Sequence, residues 1–199
     1  PELIISMDSI SQKERERLNG IADVVYLPSQ EDWRTHFMLT ASHVEEEAEA
    51  RKWLTSYKRQ TESAKKALQP VCGQYSFLFL RLHKHEFYLA HNRSVRDVFF
   101  GDLGFESAVS LNEPTDQAVS LESIAAYQPD CIMIFIYKEP ETIAFYQELQ
   151  QTAAWQDLKA VREQRVYQIQ SDPWREYTAC SHERTIRQTV QLLSGKNPF

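Results

Sequence analysis

Residues 131–137, Cys-Ile-Met-Ile-Phe-Ile-Tyr, form an apolar run with no polar alternation, and this run limits the possible folds more than any other stretch. A strand with one wet face alternates apolar and polar residues. A continuous run of this length marks a strand buried on both faces, as in parallel sheets covered by helices. The flanking segments agree. Ser120 is expected to cap a helix over 121–128, which Pro129 stops. Helices over 140–151 and 155–163 follow, then the strand Val166–Ile169. Upstream, residues 75–82 and 86–90 read as β runs separated by a short polar turn. Ser94 is expected to cap a short helix reaching Leu103, with Gly104 after it. Ser181 is expected to cap the last helix, whose Ile186, Val190 and Leu193 form one stripe before Gly195. Strands alternating with helices predict an α/β fold with a mostly parallel sheet.

The first half repeats this grammar. Residues 3–6 read as a strand, and Ser11 with Glu14 makes a capping box for a helix over 12–19, stopped at Gly20. A second strand, 24–27, closes at Pro28. Ser42 with Glu45 reads as another capping box, opening a long helix over 43–69. Such a helix, roughly 40 Å long, suits a brace running past two lobes. Pro1-Glu2-Leu3-Ile4-Ile5-Ser6 also echoes Pro129-Asp130-Cys131-Ile132-Met133-Ile134. Each copy leads through helix to a Val-containing strand and then a Ser-containing loop with a tryptophan, Trp33 or Trp174. The echo predicts two similar lobes: residues 1–41 in the first, 42–70 as the connecting helix, and 71–199 in the second. Only the second copy has a preceding block of strands and helices, so the first lobe is expected to be truncated at its N-terminal side.

Charge and composition exclude several functions. A net charge of −6 argues against a broad nucleic-acid surface, and no apolar run is long enough to span a membrane. With five glycines there is no Gly-rich phosphate cradle, and neither a nucleophile elbow nor a metal-type Cys-x-x-Cys spacing occurs. No catalytic residue, metal site or cofactor is expected. Cys72, Cys131 and Cys180 read as free thiols in a reducing compartment, with one disulfide plus a spare thiol as the alternative.

In open parallel sheets, ligands bind beyond the carboxyl ends of the strands. The residues placed there are Arg93 and Arg96 after 86–90, Tyr137 and Lys138 after 131–136, and Trp174, Arg175 and Tyr177 after 166–169. The first lobe contributes Trp33 and Arg34. This rim is cationic and aromatic in an acidic protein, and guanidinium groups with ring faces suit an anionic, aromatic ligand.

Leu121-Glu-Ser-Ile-Ala-Ala-Tyr-Gln-Pro-Asp-Cys-Ile-Met-Ile resembles the Leu-Glu-x-Ile-Ala-x-x-x-Pro-Asp-x-Ile stretch of the periplasmic-binding family for iron siderophores and cobalamin. Residues 155–167 and the Asp172-Pro173-Trp174 loop continue the likeness. Residues 88–104 resemble the catecholate-siderophore branch, and also the version fused behind an AraC-type helix-turn-helix region. The resemblance implies a two-lobed class III substrate-binding fold with lobes joined by a long helix. It implies a ferric siderophore as ligand, with iron present only inside it. The protein would then be a cytoplasmic sensor, touching DNA only through a separate region of a longer chain. The alternative is an extracellular, lipid-anchored receptor that docks on an ABC permease. An α/β enzyme is the third reading, disfavoured by the missing nucleophile-base pairing.

Overall fold

The unalternating run becomes the second-to-last strand of a six-stranded sheet, with parallel neighbours on both sides. In a computed structural model of the protein, residues 1–194 are described, and the chain divides into two compact units, Pro1–Arg59 and Gln60–Phe199. Gly195, expected to end the last helix, lies outside the described residues.

The first unit opens with β1 (Leu3–Met7), α1 (Gln12–Asn19) and β2 (Asp23–Leu27), and the two strands pair in parallel. The capping box forms as the sequence predicts: Glu14 N donates to Ser11 Oγ at 3.3 Å, and Ser11 N to Glu14 Oε2 at 2.9 Å. Beyond β2 the structure departs from expectation. Trp33 opens a helix, α2 (Trp33–His43), capped by the Asp32 carboxylate, which accepts from Thr35 N at 2.8 Å. Ser42 therefore caps nothing. It lies in the last turn of α2 and donates to Leu39 O at 2.8 Å. The chain turns through Glu45 at φ 59° before α3 (Glu47–Leu68) begins. That helix is roughly 33 Å long, shorter than the sequence suggests. Trp33, Trp53 and Tyr57 pack α2 against α3, with Trp33 and Tyr57 rings 5.0 Å apart.

The second unit carries β3 (Ser76–His83), β4 (Glu86–Leu89), β5 (Glu106–Ser107), β6 (Ala118–Val119), β7 (Cys131–Ile136) and β8 (Val166–Ile169). The strand order is β6-β4-β3-β7-β8, with β5 beside the start of β3. The β3–β7, β7–β8 and β3–β5 pairs are parallel, while β4 and β6 fold back antiparallel. Leu78, Leu80, Ile132 and Ile134 on one face and Phe77, Phe79, Cys131 and Met133 on the other are all buried, so the centre of β3 and β7 meets no water on either face. Each such side chain stabilises by about 1.5–3 kcal/mol on leaving water.

Three further helix boundaries differ from the sequence reading. Residues 95–102 wind as a π-helix (Val95–Asp102), and its capping oxygen is Asn92 Oδ1, which accepts from Val95 N at 3.1 Å. Ser94 already has helical backbone angles, and its buried hydroxyl makes no cap. Gly101 belongs here, since a Cβ would meet Arg96 O at 3.2 Å. The expected helix over 155–163 is two short turns, α6 (Ala153–Gln156) and α7 (Lys159–Arg162), the first capped by Thr152. The last helix, α9 (Ala179–Ser194), follows α4 (Leu121–Tyr127), α5 (Pro140–Leu149) and α8 (Ser171–Trp174) in the chain. Thr178 caps it, accepting from Ser181 N at 3.2 Å, while Ser181 is buried one turn in and returns the bond.

Asp130 ties the amino-terminal ends of the central strands together. Its carboxylate accepts from Ser76 N at 2.9 Å, Ser76 Oγ at 3.0 Å and Lys159 Nζ at 2.5 Å. Partial burial pushes the carboxyl up, but the Lys159 ammonium and the Ser76 donors outweigh it and hold it below the usual range. We expect Asp130→Asn to cost about 1–3 kcal/mol, read by urea melts at pH 7. A depressed folded-state pKa contributes stability above the unfolded value, and the contribution is lost as pH falls through the folded value. The gap between the two proteins should therefore close below about pH 4. Burial also pushes the Cys131 thiol up to about 12, and all three cysteines are free. A thiol reagent should label exposed Cys180 in the native protein and leave Cys131 untouched until denaturation.

Candidate functional site

The carboxyl ends of β3, β7 and β8 lie along one edge of the second unit's sheet, because these strands run parallel. Polar side chains converge there on Tyr137, immediately after β7. Arg175, just past α8, donates from Nη1 to Tyr137 Oη at 3.1 Å, and Arg81, near the end of β3, donates from Nη1 to the same oxygen at 3.4 Å. The Arg81 bond first, and then that from Arg175, hold the phenol below its ordinary value. Rings surround this fork. Arg81 lies 4.5 Å from the Tyr88 ring centre, Arg175 5.9 Å from that of Phe135, and Phe135 and Tyr137 rings are 5.0 Å apart. Asp116 completes the group as an ion pair to Arg81 at 3.0 Å.

Two hollows adjoin the fork. The smaller one, about 30 Å³ and lined by Phe79, Arg81, Asp116, Trp174 and Arg175 among others, has room for about one water molecule. An open depression of about 580 Å³ adjoins Tyr137, Lys138, Phe135 and Gln170. Of these two hollows, the open depression is the one with room for a ligand of metal-chelate size. Among the described residues no cluster of His, Cys, Asp and Glu is arranged to hold a bare metal ion. An anion docking on two guanidinium groups and a phenol, against ring faces, is what this chemistry accommodates.

The sequence-derived residues fall into several places. Tyr137 and Lys138 line the open depression, and Arg175, which lines the smaller hollow, reaches Tyr137 through its hydrogen bond. Arg93 and Tyr177 form a neighbouring group: the guanidinium lies 4.8 Å from the Tyr177 ring centre, and Tyr177 Oη donates to Asp97 Oδ2 at 2.6 Å. Segment 174–178 carries both Arg175 and Tyr177, so it links the two groups. Arg96 turns instead to the chain beyond β5, donating to Leu111 O at 3.3 Å. Trp174 is 1% exposed, with its indole N–H on Gln188 Oε1 at 2.8 Å and its ring 5.7 Å from Phe79. In the first unit, Arg34 covers the ring of buried Trp33 at 4.3 Å.

Arg81 was missed by sequence reasoning, and a signal for it existed. It is the one charged residue inside the apolar strand Ser76–His83 and lies near that strand's carboxyl end. Asp116 and Tyr88 left no comparable trace, since the loop and hairpin that deliver them have no diagnostic pattern.

Comparison with known proteins locates this arrangement. Residues 1–173 match the family described as periplasmic binding protein. The HTH-type transcriptional activator Btr of Bacillus subtilis is 65% identical over 198 residues, covering 100% of this chain and 37% of that protein. The iron-uptake system-binding protein of the same organism is 21% identical, covering 98% of this chain and 63% of that protein. The chain thus spans little more than a third of one relative and under two thirds of the other. Among solved structures, the triscatecholate siderophore binding protein FeuA of B. subtilis, complexed with ferri-bacillibactin, superposes with a TM-score of 0.77 at 20% identity, covering 99% of this chain and 72% of that one. Staphylococcus aureus SirA gives 0.81 at 18%, covering 98% and 77%. The fold is that of these binding proteins.

Trp174 tests the packing half of the picture. Its burial against Phe79 and Phe99 means that Trp174→Ala should cost about 3–5 kcal/mol of stability, measured by denaturant melts. An unchanged melt would show that the indole is a surface platform and not part of the core.

Proposed function

Because the chain belongs to the periplasmic binding protein family, we propose that it is the ferric-siderophore-sensing part of a cytosolic AraC-type transcriptional regulator. One observation carries this reading: 65% identity, along the whole chain, to a helix-turn-helix transcriptional activator. The candidate site supports the choice of ligand. A ferric tris-catecholate is trianionic and presents aromatic faces; Arg81 and Arg175 converge on Tyr137 beside Phe135, and Lys138 lines the open depression next to them together with Glu139 and Asp172. Arg93, Arg96 and Tyr177 are proposed to contribute from the neighbouring groups of the second unit, with Trp174 packing beneath them. No catalytic step is assigned to any of them.

Sensing needs more than binding. The ligand shifts the regulator only if it prefers one of two conformations, and the shift cannot exceed that difference in affinity. DNA contact belongs to a separate region of the longer protein. A receptor for an ABC importer is the second reading, favoured by the likeness to an iron-uptake binding protein. A lipidation cysteine upstream of Pro1 in the full-length product would select it, and a helix-turn-helix there would select the regulator.

The direct test is a titration of the full-length protein with ferric tris-catecholate, following tryptophan fluorescence. Saturable quenching is expected. Arg175→Ala and Arg93→Ala should each weaken binding at least roughly tenfold, since losing one partner of a desolvated charge pair costs about 2–5 kcal/mol and 1.4 kcal/mol is one decade. Variants that bind like wild type would remove these arginines from the site.

A further inference from the structure

We propose that Asp116 is an internal counter-ion of the ligand site, a carboxylate that occupies Arg81 while the site is empty and is displaced by the anion that binds. The inference rests on the ferric-siderophore reading and adds what that reading leaves open: how the empty site holds its own charge.

The two guanidinium groups on Tyr137 are not equivalent. Arg81 has a carboxylate at 3.0 Å, whereas among the described residues no acid lies within ion-pair distance of Arg175. One cation is available to an incoming anion at once, and the other is already engaged. The engagement is built into the backbone. Asp116 takes φ 63°, a left-handed conformation that side chains other than glycine seldom adopt and that Asp tolerates better than most. Backbone bonds on both sides of it fix the turn: Asp116 N donates to Leu89 O at 2.8 Å, and Leu89 N donates to Gln117 O at 2.9 Å. Upstream, the same loop is held by Arg96 on Leu111 O and by the His91 ring on Glu113 O at 2.8 Å. The carboxylate is therefore aimed at the fork by the fold, unlike a surface acid that finds a cation by chance.

The pair is also asymmetric in burial. The Arg81 side chain is 17% exposed and that of Asp116 56%. Arg81 stays in place under ring contact with Tyr88 and its bond to Tyr137. Asp116 can withdraw into water at small cost, because a half-exposed ion pair contributes little. A ligand carrying several negative charges gains more from the guanidinium than one exposed carboxylate does, so exchange runs towards the ligand. The exchange also frees the side chain of a loop residue, giving ligand binding a consequence beyond the pocket.

The experiment compares wild type, Asp116→Asn, Asp116→Glu, Arg81→Gln and the Asp116→Asn/Arg81→Gln double variant, each checked by a thermal melt. Titrated with ferric tris-catecholate, Asp116→Asn should bind roughly three- to tenfold more tightly, and Asp116→Glu should return towards wild type. The gain should vanish in the Arg81→Gln background, as a coupled pair requires. Unchanged or weaker binding by Asp116→Asn overturns the proposal. A second readout needs no ligand. In ¹³Cζ-tyrosine NMR, with the Tyr137 resonance identified through Tyr137→Phe, the phenol should ionise at lower pH in Asp116→Asn and at higher pH in Arg81→Gln. An unmoved Tyr137 midpoint in Asp116→Asn also overturns it. If no protein in the set binds ferric catecholate while the midpoints move as stated, the counter-ion stands and the siderophore reading falls.

Discussion

The buried parallel contact of β7 with β3 and β8 is the constraint from which the rest of the second unit follows. A strand wet on neither face needs helices on both sides, and parallel neighbours need crossovers to return the chain. Those crossovers bring the carboxyl ends of β3, β7 and β8 to the same edge, while antiparallel β4 runs the other way. The polar residues that the strands cannot hold internally therefore gather at one place. Arg81, Tyr137 and Arg175 come from three distant stretches of sequence and meet because β3, β7 and the segment after β8 end together. At the opposite edge Asp130 does the complementary work, holding β3 and β7 in register through Ser76 and anchoring α7 through Lys159. One edge is closed by its own hydrogen bonds, and the other keeps its cations facing outward.

Much of this was legible in the sequence, and the failures have a common physical cause. The strands were readable because burial on both faces leaves a signature in composition. Helix starts were less so, because several hydroxyl, amide or carboxylate side chains often compete for one cap. Ser42, Ser94 and Ser181 each looked like a cap, and the structure gives those roles to none of them. Ser42 ends a helix whose cap is Asp32, Asn92 caps the π-helix, and Thr178 caps α9. For the π-helix and α9 a competent side chain just upstream took the role, and for Ser42 the helix it was expected to open starts later, at Glu47. The repeat of the β-α-β unit survived this test, since β1–β2 and β7–β8 both pair in parallel.

The candidate site was legible only in part, for a different reason. A rule about strand ends finds residues that follow strands, so it found Tyr137, Lys138 and Arg175. It passed over Arg81, which lies inside a strand, and Asp116, which arrives on a loop. It also could not separate rings that face a ligand from rings that fill the core. Trp174 follows a strand, yet its indole is committed to Phe79, Phe99 and Gln188. Sequence position specifies the neighbourhood of a side chain, and packing decides which way it faces.

The π-helix between Ser94 and Leu103 bears on heredity as well as on packing. A wide helix closing i→i+5 bonds, as Leu103 N does on Val98 O at 2.9 Å, can lose one residue and rewind as an ordinary α-helix without being cut. What would change is the angular position of Arg93 and Arg96 relative to Tyr177 and Leu111. Descendants of this gene could in that way reset the cationic margin of the site by a single codon lost, with the sheet beneath left as it was.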